Sequence, residues 1–392
     1  MSERQDTRSK LEFANSLRGV AATSVVVTHL LDAFWVSQPL VVSLTGMPAL
    51  SIEQPWFTHA VGAIPLNFAS FGVGLFFVIS GFVIPFSLER YDARAFLVGR
   101  LLRIYPTYWV GFSITVAAVV LGTTLDGGQP PFTAGQAALH YFPPLRALLY
   151  SKQIDGIIWT LEIELFFYLL CAAVARAIGR GRLWVGLLPF AIFAAWAPAY
   201  AFAAHPPAGL EKIAGRIEFV AVYLPFVIFM FTGVALNYRQ RGLIGRRLAG
   251  AWIVACVSLF LAAWATRYLG AGWRPLLEGA IEPVGYLTAL ALFLVAMAGQ
   301  KFFAVHPAFR FVADISYPLY VVHGVAGYAA LQLLAKRGVE PNLALGLTLA
   351  GVFGAAWLIH RYVEEPTHQF GQSLARGIAA RDRARAAAPA TS

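Results

Sequence analysis

The stretch FASFGVGLFFVISGFVIPFSL, residues 68–88, decides the fold class of this chain. Its only polar side chains are the hydroxyls of Ser70, Ser80 and Ser87, and it carries no charge. About 20 apolar residues in an α-helix are enough to cross the hydrocarbon core of a bilayer. The stretch is therefore predicted to be a transmembrane helix.

The whole chain has the composition of a polytopic membrane protein. Of its 392 residues, 58% are hydrophobic and only 13% are charged, whereas soluble domains are nearer to a quarter charged. The same length criterion predicts an all-α transmembrane bundle of about ten spans. These spans lie near residues 16–36, 66–88, 105–122, 157–178, 183–203, 218–237, 249–268, 281–299, 315–335 and 342–362.

The distribution of basic residues predicts the orientation. With the N-terminus in the cytoplasm, 22 of the 30 lysines and arginines fall on segments that face the cytoplasm. The positive-inside rule therefore predicts that both termini are cytoplasmic. This topology, rather than nucleic acid binding, accounts for most of the net charge of +10. Cys171 and Cys256 lie in apolar runs, so neither a disulfide framework nor a metal site is expected.

Three segments organise the chain around these spans. Residues 1–15 are predicted to be a cytoplasmic N-terminal segment, residues 16–366 the transmembrane domain, and residues 367–392 a basic, Ala- and Arg-rich cytoplasmic tail. No signal peptide is expected, because the first apolar run is long and no cleavage site of small residues follows it.

The first predicted span carries two ionisable residues, Arg18 and His29. They are eleven residues apart, so both project from one face of a regular helix, about 16 Å from each other along its axis. An anchoring arginine and a packed histidine are the structural alternatives. Ionisable groups inside a membrane nevertheless favour function, and an imidazole can exchange a proton near neutral pH.

Other polar residues recur in the spans. Arg100 and Arg103 share a helix face, as membrane anchors or as a guanidinium pair for an anionic cytoplasmic ligand. Glu162 and Glu164 point in opposite directions on a helix, and Tyr168 shares the face of Glu164. Ser316, Tyr320 and His323 are predicted to follow one helical stripe, and Ser80-Gly81 marks a close approach of two helices. Pro366 is predicted to end the last span beside an ion-pair cluster.

Taken in order, these segments resemble the membrane acyltransferase-3 family. They are SLRG with an R-x10-H spacing to His29, FFVISGF, R-x-x-R-IYP, WTLEIE-x-x-FY, SYPLYVVH and YVEEP. Each motif alone is weak, but six in the family's order cover nearly the whole chain, from about Ser16 to Pro366. The resemblance implies a bacterial inner-membrane protein that acylates, most often O-acetylates, surface glycans or some small molecules.

The resemblance also implies roles for individual residues. His29 would be the central catalytic residue with Arg18 as its partner, either as general base on the acceptor hydroxyl or as a transient carrier of the acyl group. Arg100 and Arg103 would bind the acyl donor, an acyl-CoA such as acetyl-CoA. This donor is a co-substrate, and no bound cofactor is expected. We assign Glu164 to the catalytic group, where it would orient the imidazole or the acceptor. The candidates for acceptor or oxyanion contacts are Ser80, Tyr168, Tyr320 and His323.

Two positions depart from the family pattern. Gly74 stands where many relatives have an acidic residue, which puts a polar role at that point in doubt. Many relatives also have two consecutive acids where this chain has Glu164 followed by Leu165, so the assignment is carried to Glu164 rather than to Glu162.

Two other functions fit the same residues. A proton-coupled secondary transporter also needs ionisable groups inside the membrane, although no paired broken helices are predicted. A non-catalytic membrane protein of polysaccharide assembly is the third hypothesis. Exopolysaccharide, lipopolysaccharide, a lipid-linked sugar and a small molecule all stay open as acceptors.

Overall fold

The structure is a computed structural model, and it describes residues 2–51, 53–149, 151–268, 275, 279–300 and 307–387. The described residues are 83% helical, and no strand occurs among them. The predicted all-α fold is confirmed. Residues 388–392, the end of the predicted tail, lie outside the described residues.

The described part of the chain contains eight helices long and apolar enough to span a membrane, or nine if one bent helix pair counts as a single span. Long uninterrupted apolar runs produce them, as the composition predicts. The segment predicted as a span near residues 157–178 is a shorter helix, Ile158–Ala173, followed by Ala175–Gly179. Its 16 residues rise about 24 Å, less than the hydrocarbon thickness.

The chain divides into two compact units, and three α-helices contribute residues to both. The first unit comprises Met1–Phe76, Thr107–Glu162 and Tyr268–His360. Its described helices include Ser2–Val26, Val27–Ala33, Phe34–Val36, Gln38–Thr45, Trp56–Gly62, Ala134–His140, Pro143–Leu148, Ile281–Ala298, Pro307–Asp314, Ser316–Val322, Val325–Lys336 and Pro341–Ile359, together with parts of Phe68–Arg90, Ala93–Leu125 and Ile158–Ala173.

Small residues let the helices of the first unit approach closely. A Cβ atom at Gly19 would lie 3.0 Å from the backbone nitrogen of Ala313, and one at Gly111 would lie 2.3 Å from Val321. Gly74 packs against Tyr286 and Ala289 in the same way, with 3.0 Å to the nearest side-chain atoms. An acidic side chain at position 74 would have to displace these groups.

The second unit comprises Phe77–Pro106, Ile163–Arg267 and Arg361–Ser392. Its Gly81 lies against Gly233, and a Cβ atom at Gly81 would be 1.9 Å from the carbonyl oxygen of Met230. The close helix approach predicted at Ser80-Gly81 is therefore present. The described helices of this unit include Ala175–Gly179, Leu183–Leu187, Leu188–Ala204, Glu211–Gln240, Arg246–Ala265 and Glu365–Ala387, together with the remainder of the three shared helices.

Three helices are less regular than predicted. Ser316–Val322 and Val325–Lys336 meet at a bend of 55°, so the stripe predicted through His323 ends at the break. His29 lies in a π-helical segment, Val27–Ala33. The predicted stop at Pro366 is wrong, because a second π-helix, His360–Glu364, leads into the helix Glu365–Ala387. Proline is tolerated in the first turn of a helix, where its missing N–H is not needed.

Candidate active site

Two histidines meet in the first unit. Nδ1 of His29 lies 2.8 Å from Nε2 of His323, and the ring centroids are 4.9 Å apart with 27° between the planes. His323 is fully buried, whereas His29 is half-buried. The sequence positions both residues in apolar spans but does not indicate that they are partners.

Irregular backbone positions both imidazoles. The π-helical segment that holds His29 has a wider turn than an α-helix, and such segments are frequent at functional sites. His323 follows the last residue of Ser316–Val322, at the bend before Val325. Arg18 lies on the α-helical part that precedes His29, and its role as catalytic partner stays a prediction.

The Tyr320 hydroxyl is engaged in a short chain of hydrogen bonds. Thr160 donates its proton to the Ile157 carbonyl oxygen at 2.9 Å, and its oxygen lies 2.6 Å from the Tyr320 oxygen. Because a hydroxyl has one proton, Tyr320 is the donor to Thr160. To contact an oxyanion, as predicted, this hydroxyl would first have to leave Thr160.

Glu162 has a partner that no sequence motif indicates. Arg146, on the short helix Pro143–Leu148, donates to both carboxylate oxygens of Glu162 at 2.5 Å. Both side chains are 2% exposed, and Arg146 also donates to the Ser151 carbonyl oxygen at 2.7 Å. Glu162 is thus part of a buried ion pair, which fits its omission from the predicted catalytic group. An arginine among exposed leucines in a loop region gives little sequence signal of such a role.

The second unit brings together four other predicted site residues. Ser80 donates to Oε1 of Glu164 at 2.9 Å, and the Tyr168 hydroxyl donates to the same oxygen. The guanidinium of Arg100 lies over the Tyr168 ring, 5.4 Å from its centroid, and donates to the Ser87 hydroxyl at 2.9 Å. Glu164 therefore accepts two hydrogen bonds from hydroxyl groups, close to the buried guanidinium of Arg100.

Arg103 differs from Arg100 in its environment. It is half-buried, while Arg100 is 8% exposed and its guanidinium lies over the rings of both Phe96 and Tyr168. Arg100 thus has a structural role in addition to any ligand that it binds. Binding of an acyl donor by either arginine stays a prediction.

Outside the spans, the first unit buries a histidine that is kept neutral. The Tyr108 hydroxyl lies 2.8 Å from Nδ1 of His140, and Nε2 accepts from the backbone N–H groups of Ile154 and Asp155 at 3.0 and 3.3 Å. Burial and the positive charge of Arg146 lower the pKa of His140 to about 3. No group of three His, Cys, Asp or Glu side chains suited to a metal occurs in the described ranges.

Asp155, in contrast to His140, is a buried group whose pKa is raised. Its Oδ1 accepts from the Ile157 N–H at 3.4 Å, and Oδ2 has no hydrogen-bond partner in the part of the chain that the structure describes. Burial raises the pKa of Asp155 to about 7 from its ordinary value of 3.8. Between these two pH values the folded chain keeps a proton that the unfolded chain releases, so this contribution to stability falls as the pH rises.

An Asp155→Asn variant should therefore gain stability over the wild type as the pH increases. We expect the difference in Tm to grow from about pH 4 to about pH 7 and to stay constant above that. A thiol-reactive dye can follow unfolding, since Cys171 and Cys256 are buried and free. His140 titrates in both proteins and cancels in the difference. A Tm difference that does not change with pH would contradict the prediction.

Comparison with known proteins identifies the family of this chain. The model of the family described as "Acyltransferase domain" matches residues 11–361, most of the chain and both histidines of the pair. The chain belongs to the acyltransferase-3 family. It is thus a multi-pass membrane protein of an acyltransferase family, as the order of its motifs predicts.

Two curated proteins are similar to this chain in sequence. The family member "Exopolysaccharide production protein ExoZ" of Rhizobium meliloti (strain 1021) is 26% identical over 327 residues, which are 79% of this chain and 93% of the relative. "Nodulation protein 10" of Rhizobium leguminosarum bv. viciae is 34% identical over 143 residues, 30% of this chain. That match spans only 39% of the nodulation protein. No solved structure matches the chain.

Proposed function

We propose that this acyltransferase-3 protein is an O-acyltransferase of the bacterial inner membrane. It moves an acyl group, in the first instance acetyl, from a cytoplasmic acyl-CoA to a hydroxyl group of a glycan. The observation that carries the proposal is the His29–His323 pair inside a chain of this family. The name of the relative ExoZ supports an exopolysaccharide as the acceptor class.

The proposed reaction needs a base, and His29 is suited to that role. Its imidazole removes the proton of the acceptor hydroxyl while the oxygen attacks the thioester carbonyl. The C–S bond of the tetrahedral intermediate then breaks, and the CoA thiolate leaves with the proton that His29 held. The acceptor gains an ester, CoA gains a thiol, and no other reactant is consumed.

Other residues of the predicted site have supporting roles in this proposal. Arg100 and Arg103 bind the phosphates of the donor, because guanidinium groups match phosphate geometry. Glu164 accepts hydrogen bonds from the Ser80 and Tyr168 hydroxyls. It would accept a hydrogen bond from a sugar hydroxyl that replaces one of these two donors. The predicted orientation places the segment that carries Arg100 and Arg103 on the cytoplasmic side, where acyl-CoA is available.

The experiment is acyl transfer by the purified protein in liposomes. Labelled acetyl-CoA and an exopolysaccharide are supplied, and both labelled polysaccharide and free CoA are measured. Release of CoA that depends on the acceptor supports the enzyme. Uptake driven by a gradient, without covalent change, would instead support a transporter. Among the described residues, the bent helix pair Ser316–Val322/Val325–Lys336 is a structural feature that such a function could use.

The same liposomes test donor binding. Replacing Arg103 by alanine should raise the KM for acetyl-CoA by about 10-fold or more, because a hydrogen bond to a charged group contributes about 1.5–3 kcal/mol. Arg94, an exposed arginine on the same helix Ala93–Leu125, is the matched control, and Arg94→Ala should leave the KM unchanged. An unchanged KM for Arg103→Ala would remove Arg103 from the donor site.

A further inference from the structure

The hydrogen bonds of His323 determine which of its ring nitrogens carries the proton. Nδ1 of His323 lies 3.0 Å from the carbonyl oxygen of Leu319. A carbonyl oxygen can only accept, so Nδ1 is the protonated nitrogen. A neutral imidazole has a single N–H, and Nε2 of His323 is therefore an acceptor.

This assignment passes to His29. The atom 2.8 Å from Nε2 of His323 is Nδ1 of His29, which must donate because its partner can only accept. The proton of neutral His29 is then on Nδ1, and its Nε2 has a free lone pair. Among the described residues, no side chain or backbone group forms a hydrogen bond with this Nε2, and His29 as a residue is half-buried.

We infer that His323 is a positioning residue that holds His29 in the tautomer with its basic lone pair on Nε2. The inference rests on the proposed function, and it specifies which nitrogen of His29 accepts the proton. When His29 takes the hydroxyl proton at Nε2, its Nδ1–H continues to donate to His323. The Leu319 carbonyl oxygen, which holds the proton of His323 on Nδ1, belongs to the backbone of the helix Ser316–Val322.

Both histidines of the pair pack against neighbouring aromatic side chains. His323 is fully buried, and its ring centroid lies 5.7 Å from that of Tyr320. The His29 ring lies edge-on to Tyr328, with centroids 6.1 Å apart. Each imidazole of the pair therefore also packs against a tyrosine ring.

A role in packing and a role in tautomer selection predict different substitutions. Gln at position 323 can present an amide oxygen to the Nδ1–H of His29, whereas Phe fills a similar volume and offers no acceptor. We expect His323→Gln to keep kcat within about 10-fold of the wild type. His323→Phe should lower kcat by more than that with KM for acetyl-CoA unchanged, since a wrong histidine tautomer can cost up to about 10⁴-fold.

The direct test is ¹⁵N NMR of the whole protein in liposomes with labelled histidine. His29 is assigned among the eight histidines by the signals lost in His29→Ala, and His205→Gln, an exposed site, is the control. A protonated Nδ1 and an unprotonated Nε2 on His29 are expected. A protonated Nε2 on His29, or equal kcat for the Gln and Phe variants, would overturn the inference. Full activity of His29→Ala would overturn the proposed function instead, whatever the tautomer.

Discussion

Replacing His29 by alanine is expected to lower kcat for acyl transfer by about 10²–10⁴-fold, the usual contribution of general-base catalysis. The variant loses the imidazole that accepts the hydroxyl proton but retains the residues proposed to bind the donor. The KM for acetyl-CoA should therefore stay close to the wild-type value. Steady-state release of CoA in liposomes, with saturating polysaccharide, measures both constants.

The control for this prediction is the neighbouring residue Thr28. Its hydroxyl donates to the Ser24 carbonyl oxygen, one turn earlier, at 3.3 Å. Thr28→Val keeps the shape of the side chain and should leave kcat within a few-fold of the wild type. If His29→Ala and Thr28→Val had equal rates, His29 would not be the base.

Replacing Arg146 by methionine is expected to destabilise the fold by about 3–5 kcal/mol. The substitution leaves the Glu162 carboxylate buried without its cation, and an uncompensated buried charge is the costly outcome of breaking such a pair. Loss of the hydrogen bond to the Ser151 carbonyl adds to the effect. The buried thiols of Cys171 and Cys256 report unfolding in detergent as a function of temperature or denaturant.

A double-mutant cycle separates this effect from lost packing. Arg146→Met combined with Glu162→Gln removes both charges, and we expect it to recover a large part of the stability that the single variant loses. If the two single substitutions each cost less than about 0.5 kcal/mol, or if their effects simply added, the pair would not be a stabilising element of the first unit.

Apolar run length predicts the helices of this chain well because the bilayer imposes a length on every span. The same criterion fails at residues 157–178, where apolar residues continue but the helix stops at Ala173 and a second one begins at Ala175. The length of an apolar run also does not predict the π-helical segments Val27–Ala33 and His360–Glu364. An extra residue in a turn depends on tertiary packing and leaves no periodic pattern in the sequence.

Local helix geometry predicts part of the candidate site. Glu162 and Glu164 are two residues apart, and they indeed bind different partners, Arg146 for one and Ser80 with Tyr168 for the other. The identity of those partners follows from chain topology rather than from spacing.

The histidine pair shows the limit of local spacing most clearly. His29 and His323 are separated by 294 positions, so no local pattern connects them. Gly324, immediately after His323, is the one local hint of the break that positions the ring.

The central claim is that this protein places acyl groups on a glycan, and mass spectrometry of envelope glycans tests it most directly. Cells are compared that carry the wild-type gene, the His29→Ala gene or no copy, with equal membrane levels of both proteins. We predict an alkali-labile acyl mass on the glycan in the wild type alone. An acyl content that is the same in all three strains would contradict the account.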